Sequence, residues 1–199
     1  MSSETPEVGK PDSKRRNTPA LVRAKNEPRR GELARLAKAG QLVRLSRGVY
    51  TDPKAKRSGH AALAEVAIRH PEAVVCLISA LRYHEVTTQS PAEVWIAVGN
   101  KARAPRQDYP PLRVVRFSPA TLASGVEVHE IDGVPVRITS VAKTVADCFK
   151  FRNKVGLDVA LEALREALRD KRMTMDELWR EARVCRMTRV IRPYVEASV

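Results

Sequence analysis

The stretch from Pro28 to Tyr50, PRRGELARLAKAGQLVRLSRGVY, constrains the fold most, because a basic helical pattern runs directly into a short basic hairpin pattern. Pro28 suits the first position of a helix, where its missing N–H is no loss, and Gly40 stands where a helix should stop. The spacing predicts a helix over residues 28–39. At about 100° per residue, Leu33, Leu36 and Ala37 share one side. Gly31, Ala34, Arg35 and Lys38 share the other, with Arg30 at the border and Arg29 just ahead of it. Small residues let a helix backbone approach the major groove, and Arg or Lys supplies phosphate and guanine contacts. Residues 42–45 and 49–50 are strand-like, with Ser46, Arg47 and Gly48 as the turn, so Arg44 and Arg47 fall on a wing beside the helix. Residues 19–24 read as a short first helix and 25–27 as its turn, which completes a helix-turn-helix with a wing.

Charge supports the same division. Net charge is +13, and residues 1–58 hold 15 Lys and Arg against 6 Asp and Glu, while the remaining 141 residues hold 21 against 17. Charge gathered at one end fits a polyanion-binding module joined to a nearly neutral domain. The expected fold class is α+β, with a disordered basic arm over 1–18, a winged helix-turn-helix over 19–57 and a mixed-sheet domain with C-terminal helices over 58–199. No apolar helical pattern precedes Pro19, so the N-terminal module is abbreviated.

The second domain has several local signals. The run Ala73–Ile78 suits a strand buried on both faces, with Ser79 capping a helical turn after it. Residues 94–98 and 113–117 read as strands, joined by a loop in which Lys101, Arg103 and Arg106 are a second candidate phosphate contact. Asp132-Gly133, between residues 126–131 and 134–138, is the dipeptide of a two-residue hairpin. Ser140 caps a helix, Leu157, Leu161, Leu164 and Leu168 mark the next, and Thr174-Met175-Asp176-Glu177 has the form of a capping box. Arg180, Arg183, Arg186, Arg189 and Arg192 recur at every third residue. On one helix they would spiral around the axis, and Pro193 argues for a break near Arg189, so they read mainly as surface salt-bridging residues.

Signals for catalysis are weak. His60, His70, His84 and His129 have no metal-ligand spacing, and no phosphate-binding loop or nucleophile elbow is present. A metal-dependent nuclease would need clustered carboxylates, and the spacing of Asp108, Glu127, Glu130, Asp132 and Asp147 does not predict a cluster. Asp147 reads as a stabiliser of a helix N-terminus. No enzymatic activity, metal or cofactor is expected. Cys76, Cys148 and Cys185 read as buried thiols of a reducing cytosol, and neither a signal peptide nor a membrane span is evident, so a cytoplasmic location is expected.

The segments AKAGQLVRLSRGVYT, VVCLISALRYHEVTTQSPAEVWIAV and GVPVRITSVAKTVADCFKFRNKVGLDVALEALREAL, in this order, resemble the AbiEi-type antitoxins of type IV toxin–antitoxin systems. The RGVY end of the wing and the RITS-x-x-KTVADCF junction carry the resemblance most specifically. It implies an N-terminal winged helix-turn-helix that represses its own operon by binding inverted repeats in promoter DNA. It also implies a C-terminal domain needed for antitoxicity towards a nucleotidyltransferase toxin, without a stable complex between the two proteins. Arg30, Arg35 and Lys38 would then lie on the recognition helix, and Arg44 and Arg47 on the wing. A stand-alone winged-helix regulator and a metal-dependent nucleic-acid enzyme are the other classes the sequence leaves open.

Overall fold

The structure, a computed structural model, describes residues 21–23, 30–46 and 48–197. The expected arm over 1–18, the turn at 25–27, Arg29 and Arg47 lie outside these residues. Strand β1 (Leu21–Arg23) precedes helix α1 (Arg30–Lys38), and β2 (Val43–Ser46) and β3 (Val49–Thr51) follow it. The three strands form an antiparallel sheet in the order β1-β3-β2. Residues 21–23 are therefore extended, not helical as expected. Val22 lies opposite Tyr50, and buried Leu21 shares a core with Val49. A three-residue segment with a β-branched centre has no apolar neighbour one turn away, so pairing with β3 decides its conformation.

Helix α2 (Ala61–Arg69) leads into β4 (Val74–Val75) and α3 (Leu77–Tyr83). The strand expected over 73–78 is thus only two residues long. The helix starts at Leu77 with Cys76 as its cap residue. Ser79 sits inside α3, where its hydroxyl accepts the Trp95 N–H at 2.9 Å instead of capping. A short, fully buried apolar run has no periodicity to tell strand from helix, and here the run divides between them.

Strands β5 (Val94–Gly99) and β6 (Leu112–Phe117), helix α4 (Pro119–Ala123), and strands β7 (Val126–Ile131) and β8 (Val134–Thr139) complete the main sheet. It is mixed and five-stranded, in the order β6-β5-β4-β8-β7. Asp132 and Gly133 make the β7–β8 turn with φ of 51° and 76°, the left-handed pair that a two-residue hairpin requires. Five helices follow: α5 (Val141–Lys150), α6 (Arg152–Val155), α7 (Leu157–Arg169), α8 (Met175–Cys185) and α9 (Thr188–Glu196). Ser140 caps α5 through the Lys143 N–H, and Thr174 and Glu177 form the reciprocal capping box of α8.

The sheet has apolar residues on both faces. Val94, Ile96 and Val98 of β5 pack with α2, β1 and β3, while Trp95 and Ala97 pack with α3, α5, α7, α8 and α9. Alternation along one strand therefore separates two cores, as in a three-layer α+β fold. The segment after β3 is tied to the body of the fold, where Arg57 pairs with the buried Glu65 and the Ser58 N–H donates to Asp132 Oδ1 at 3.1 Å. Among the described residues, no helix is long and apolar enough to cross a membrane.

Candidate nucleic-acid interface

Helix α1 is amphipathic with the polarity its sequence implies. Leu33 is buried, Leu36 and Ala37 are half-buried, and Gly31, Ala34, Arg35 and Lys38 are exposed. Arg30 supplies the first residue of the helix. The Arg35 side chain is 78% exposed and lies 3.8 Å from Glu32, a contact too long and too wet to hold it in place. Gly40, with φ of 73°, ends the helix in a left-handed turn, and β2 begins three residues later. Arg44 is exposed on β2, opposite Tyr50 of β3. A small, basic helix face and a two-stranded ribbon bearing an arginine are thus adjacent in the chain. Such a face suits a duplex groove, and such a ribbon suits the phosphates flanking it.

The other basic candidate, the loop between β5 and β6, is held open by one side chain. Arg116 Nη1 donates to the carbonyls of Gly99, Asn100 and Ala102, at 3.0, 3.0 and 2.6 Å. Lys101, Arg103 and Arg106 are exposed on that loop, and Arg103 lines a mainly apolar cleft of about 650 Å³.

Folding gathers groups that are distant in sequence, although not into a metal site. Three of the four histidines surround Tyr83, with ring centroids 5.0 Å away for His60, 5.3 Å for His84 and 5.0 Å for His129. Their spacing gave no sign of this, since α2, α3 and β7 bring them together. No group of three or more His, Cys, Asp or Glu could hold a metal ion among the described residues. The candidate carboxylates stay apart: Asp108 is in the basic loop, Glu127 and Glu130 are exposed on β7, and Asp132 holds Ser58.

His84 Nε2 donates to the Thr139 carbonyl at 2.7 Å, and burial holds its pKa below the ordinary imidazole value despite that bond. The native state then takes up its proton less readily than the unfolded chain. The associated stability is complete above about pH 6.5 and is lost as pH falls towards the lowered pKa, by up to about 1.4 kcal/mol per pH unit. Urea midpoints between pH 7.5 and 5 should decline for the wild type and decline less for His84→Gln. Parallel curves would remove His84 as the cause.

Asp147 is not at an exposed helix N-terminus. It forms an ion pair with Lys143 one turn away in α5, and both side chains have 0% exposure. Cys185 Sγ donates to the same carboxylate at 3.2 Å, and Lys143 Nζ lies 4.7 Å from the centre of the Phe117 ring. Burial raises the Asp147 pKa even beside Lys143. All three cysteines are free and buried, and burial pushes the Cys185 thiol up to about 12. A pair with no exposed surface cannot meet a substrate, so this cluster is structural.

No protein-family model matches the chain, and no curated protein matches it.

Proposed function

We propose that this protein is a DNA-binding autorepressor and antitoxin of the AbiEi type, with no catalysis of its own. The observation that carries the reading is the order β1, α1, β2, β3 with the sheet order β1-β3-β2, in which the helix ahead of the two-stranded ribbon turns a small, basic face outward. A strand closing on the second strand of the ribbon is what a winged helix needs to fix its wing. In this reading α1 is the recognition helix and the β2–β3 ribbon is the wing. Gly31 and Ala34 allow close approach, while Arg30, Arg35 and Lys38 read bases or hold phosphates. Arg29 ahead of the helix, Arg44 and Arg47 complete the contact. Promoter DNA is the ligand, two copies act on an inverted repeat, and the second domain counters a nucleotidyltransferase toxin without a lasting complex.

The test is a gel-shift titration against the protein's own upstream promoter and a scrambled duplex at two salt concentrations. With about five phosphates neutralised, log K should fall against log salt with a slope of about −4 to −5. Arg35→Ala should cost about 1–3 kcal/mol on the promoter and much less on the scrambled duplex. Equal affinity of the variant and the wild type would remove Arg35 from the interface. Rescue of growth from the toxin encoded beside the gene would test the second half of the proposal.

Gly31→Ala separates stability from recognition. Nothing lies within 4 Å of the added methyl, so replacing this glycine in the first turn of α1 should raise stability slightly, by up to about 0.5 kcal/mol. The same methyl would stand between α1 and the groove floor, so promoter affinity should fall. A melting curve and a gel shift on one variant would show both, and unchanged affinity would place Gly31 away from the duplex.

A further inference from the structure

The arginines at every third position from Arg180 to Arg192 do not spiral around one helix, because the chain turns between them. Arg186 adopts the left-handed conformation, with φ of 59° and ψ of 38°, and closes α8. The Met187 N–H reaches the Ala182 carbonyl at 2.8 Å, which is the bond of a helix-ending turn. The break falls three residues before the expected place, and Pro193 is accommodated inside α9. The new helix buries Ile191 and Val195 in the core and sets Tyr194 against Phe149, with ring centroids 5.4 Å apart and the rings tilted by 31°.

With α9 anchored this way, Arg192 comes to face Arg180 and Arg183 of α8. These three arginines, with Trp179, Thr188 and Asp176, line a groove of about 470 Å³. Arg180 Nε lies 3.6 Å from the nearly buried Glu181, whereas neither Arg183 nor Arg192 forms an ion pair among the described residues. Asp176 is the single acidic side chain of the lining. Arg186 and Arg189 are left outside it. Guanidinium groups lining one groove repel one another, and Asp176 and the Glu181 contact of Arg180 offset that only in part, leaving a net positive lining.

We propose that this groove binds single-stranded nucleic acid, with the indole of Trp179 stacking on a base and Arg180, Arg183 and Arg192 holding the flanking phosphates. Guanidinium forks suit phosphate oxygens, and an aromatic face among them adds the second element of a strand-binding platform. The Trp179 indole is half-buried with one part packed on the helical core, and an acidic protein segment would use the arginines without engaging the part left in the groove. A duplex keeps its bases stacked on one another and offers Trp179 no face. The groove lies on the helical layer, across the five-stranded sheet from β1 and β3, so it is separate from the proposed promoter interface and does not depend on it.

The chain itself supplies a reporter. It has two tryptophans, and Trp95 is only 6% exposed, so quenching by a ligand in solution reports Trp179. The full-length protein is titrated with a ten-nucleotide oligouridylate, a ten-nucleotide oligothymidylate, a duplex of the same length and a polyglutamate peptide. Saturable quenching is expected with both single strands, and a difference between them would report the 2′-hydroxyl. The logarithmic salt slope should be about −2, for three phosphates on a single strand. Arg183→Glu/Arg192→Glu and Trp179→Ala should each weaken binding about tenfold or more, measured by anisotropy of a labelled strand. Arg183 and Arg192 are exposed, and an unchanged melting temperature would show that the double variant folds. Arg189→Ala, at an exposed arginine outside the groove, should leave single-strand binding nearly unchanged. Wild-type affinity in Arg183→Glu/Arg192→Glu would overturn the proposal, as would the absence of quenching. Equal, equally sensitive binding of the duplex would also overturn it. Binding of polyglutamate in place of the strands would assign the groove to an acidic protein partner.

Discussion

Lys143→Met should destabilise the protein by about 3–5 kcal/mol, because it leaves the Asp147 carboxylate buried with only the Cys185 thiol as a donor. The cost comes from the charge that remains, not from the lost attraction, so Lys143→Met/Asp147→Leu should recover most of it. The pH dependence follows from the Asp147 pKa, which burial already raises and which loss of Lys143 would raise further. An acid with a raised folded-state pKa binds its proton more firmly in the native state. Its stability contribution is then fullest at low pH and declines as pH rises from the ordinary carboxyl value through the raised one. The single variant should therefore look least damaged near pH 4 to 5. Urea unfolding of the two variants at pH 5 and 7 makes the comparison. A loss under about 1 kcal/mol at pH 7 would mean that the carboxylate reaches water.

Gly125→Ala should cost about 2–4 kcal/mol, an unusual loss for one methyl group. Gly125 has a φ of 56°, and its carbonyl accepts the Ser140 N–H at 2.7 Å, so the backbone is held where it is. An added Cβ would stand 2.7 Å from Lys143 Cβ and 3.1 Å from Glu181 Cδ. Glu181 is itself held by the Ser124 hydroxyl at 2.5 Å, and Lys143 by its ion pair, so neither neighbour can yield cheaply. Gly40→Ala is the control, since φ is 73° there but nothing lies within 4 Å. It should cost only about 1 kcal/mol, from backbone strain alone. Similar losses at the two positions, measured by thermal melting, would show that the helical layer relaxes around Gly125.

The parts of the fold that sequence reveals are those decided within a few residues. Asp132-Gly133 makes its hairpin, Ser140 and Thr174 cap their helices, and α1 turns its basic side outward, because each depends on neighbours one turn away or closer. Where a distant partner decides, local pattern misleads. Residues 21–23 take their conformation from β3, nearly thirty residues on. The apolar run at 73–78 divides between strand and helix because Ser79 reaches across to Trp95. Asp147 looks like an ordinary residue near a helix start until α8 closes over it. The candidate site divides in the same way: the face of α1 is readable as a period, whereas the arginine groove exists only because Arg186 turns the chain.

The shared core beneath the small sheet bears on how two copies would meet one operator. Leu21 and Val49 pack with Val66, Ala67 and Ile138, which belong to α2 and the main sheet. The ribbon, and through four residues the basic helix ahead of it, is therefore oriented by the body of the protein and is not a bead on a tether. In the proposed reading the molecule acts as a ruler. The distance between half-sites is set by how far apart two bodies of this size must stand, and helical phase along the DNA counts as much as base sequence.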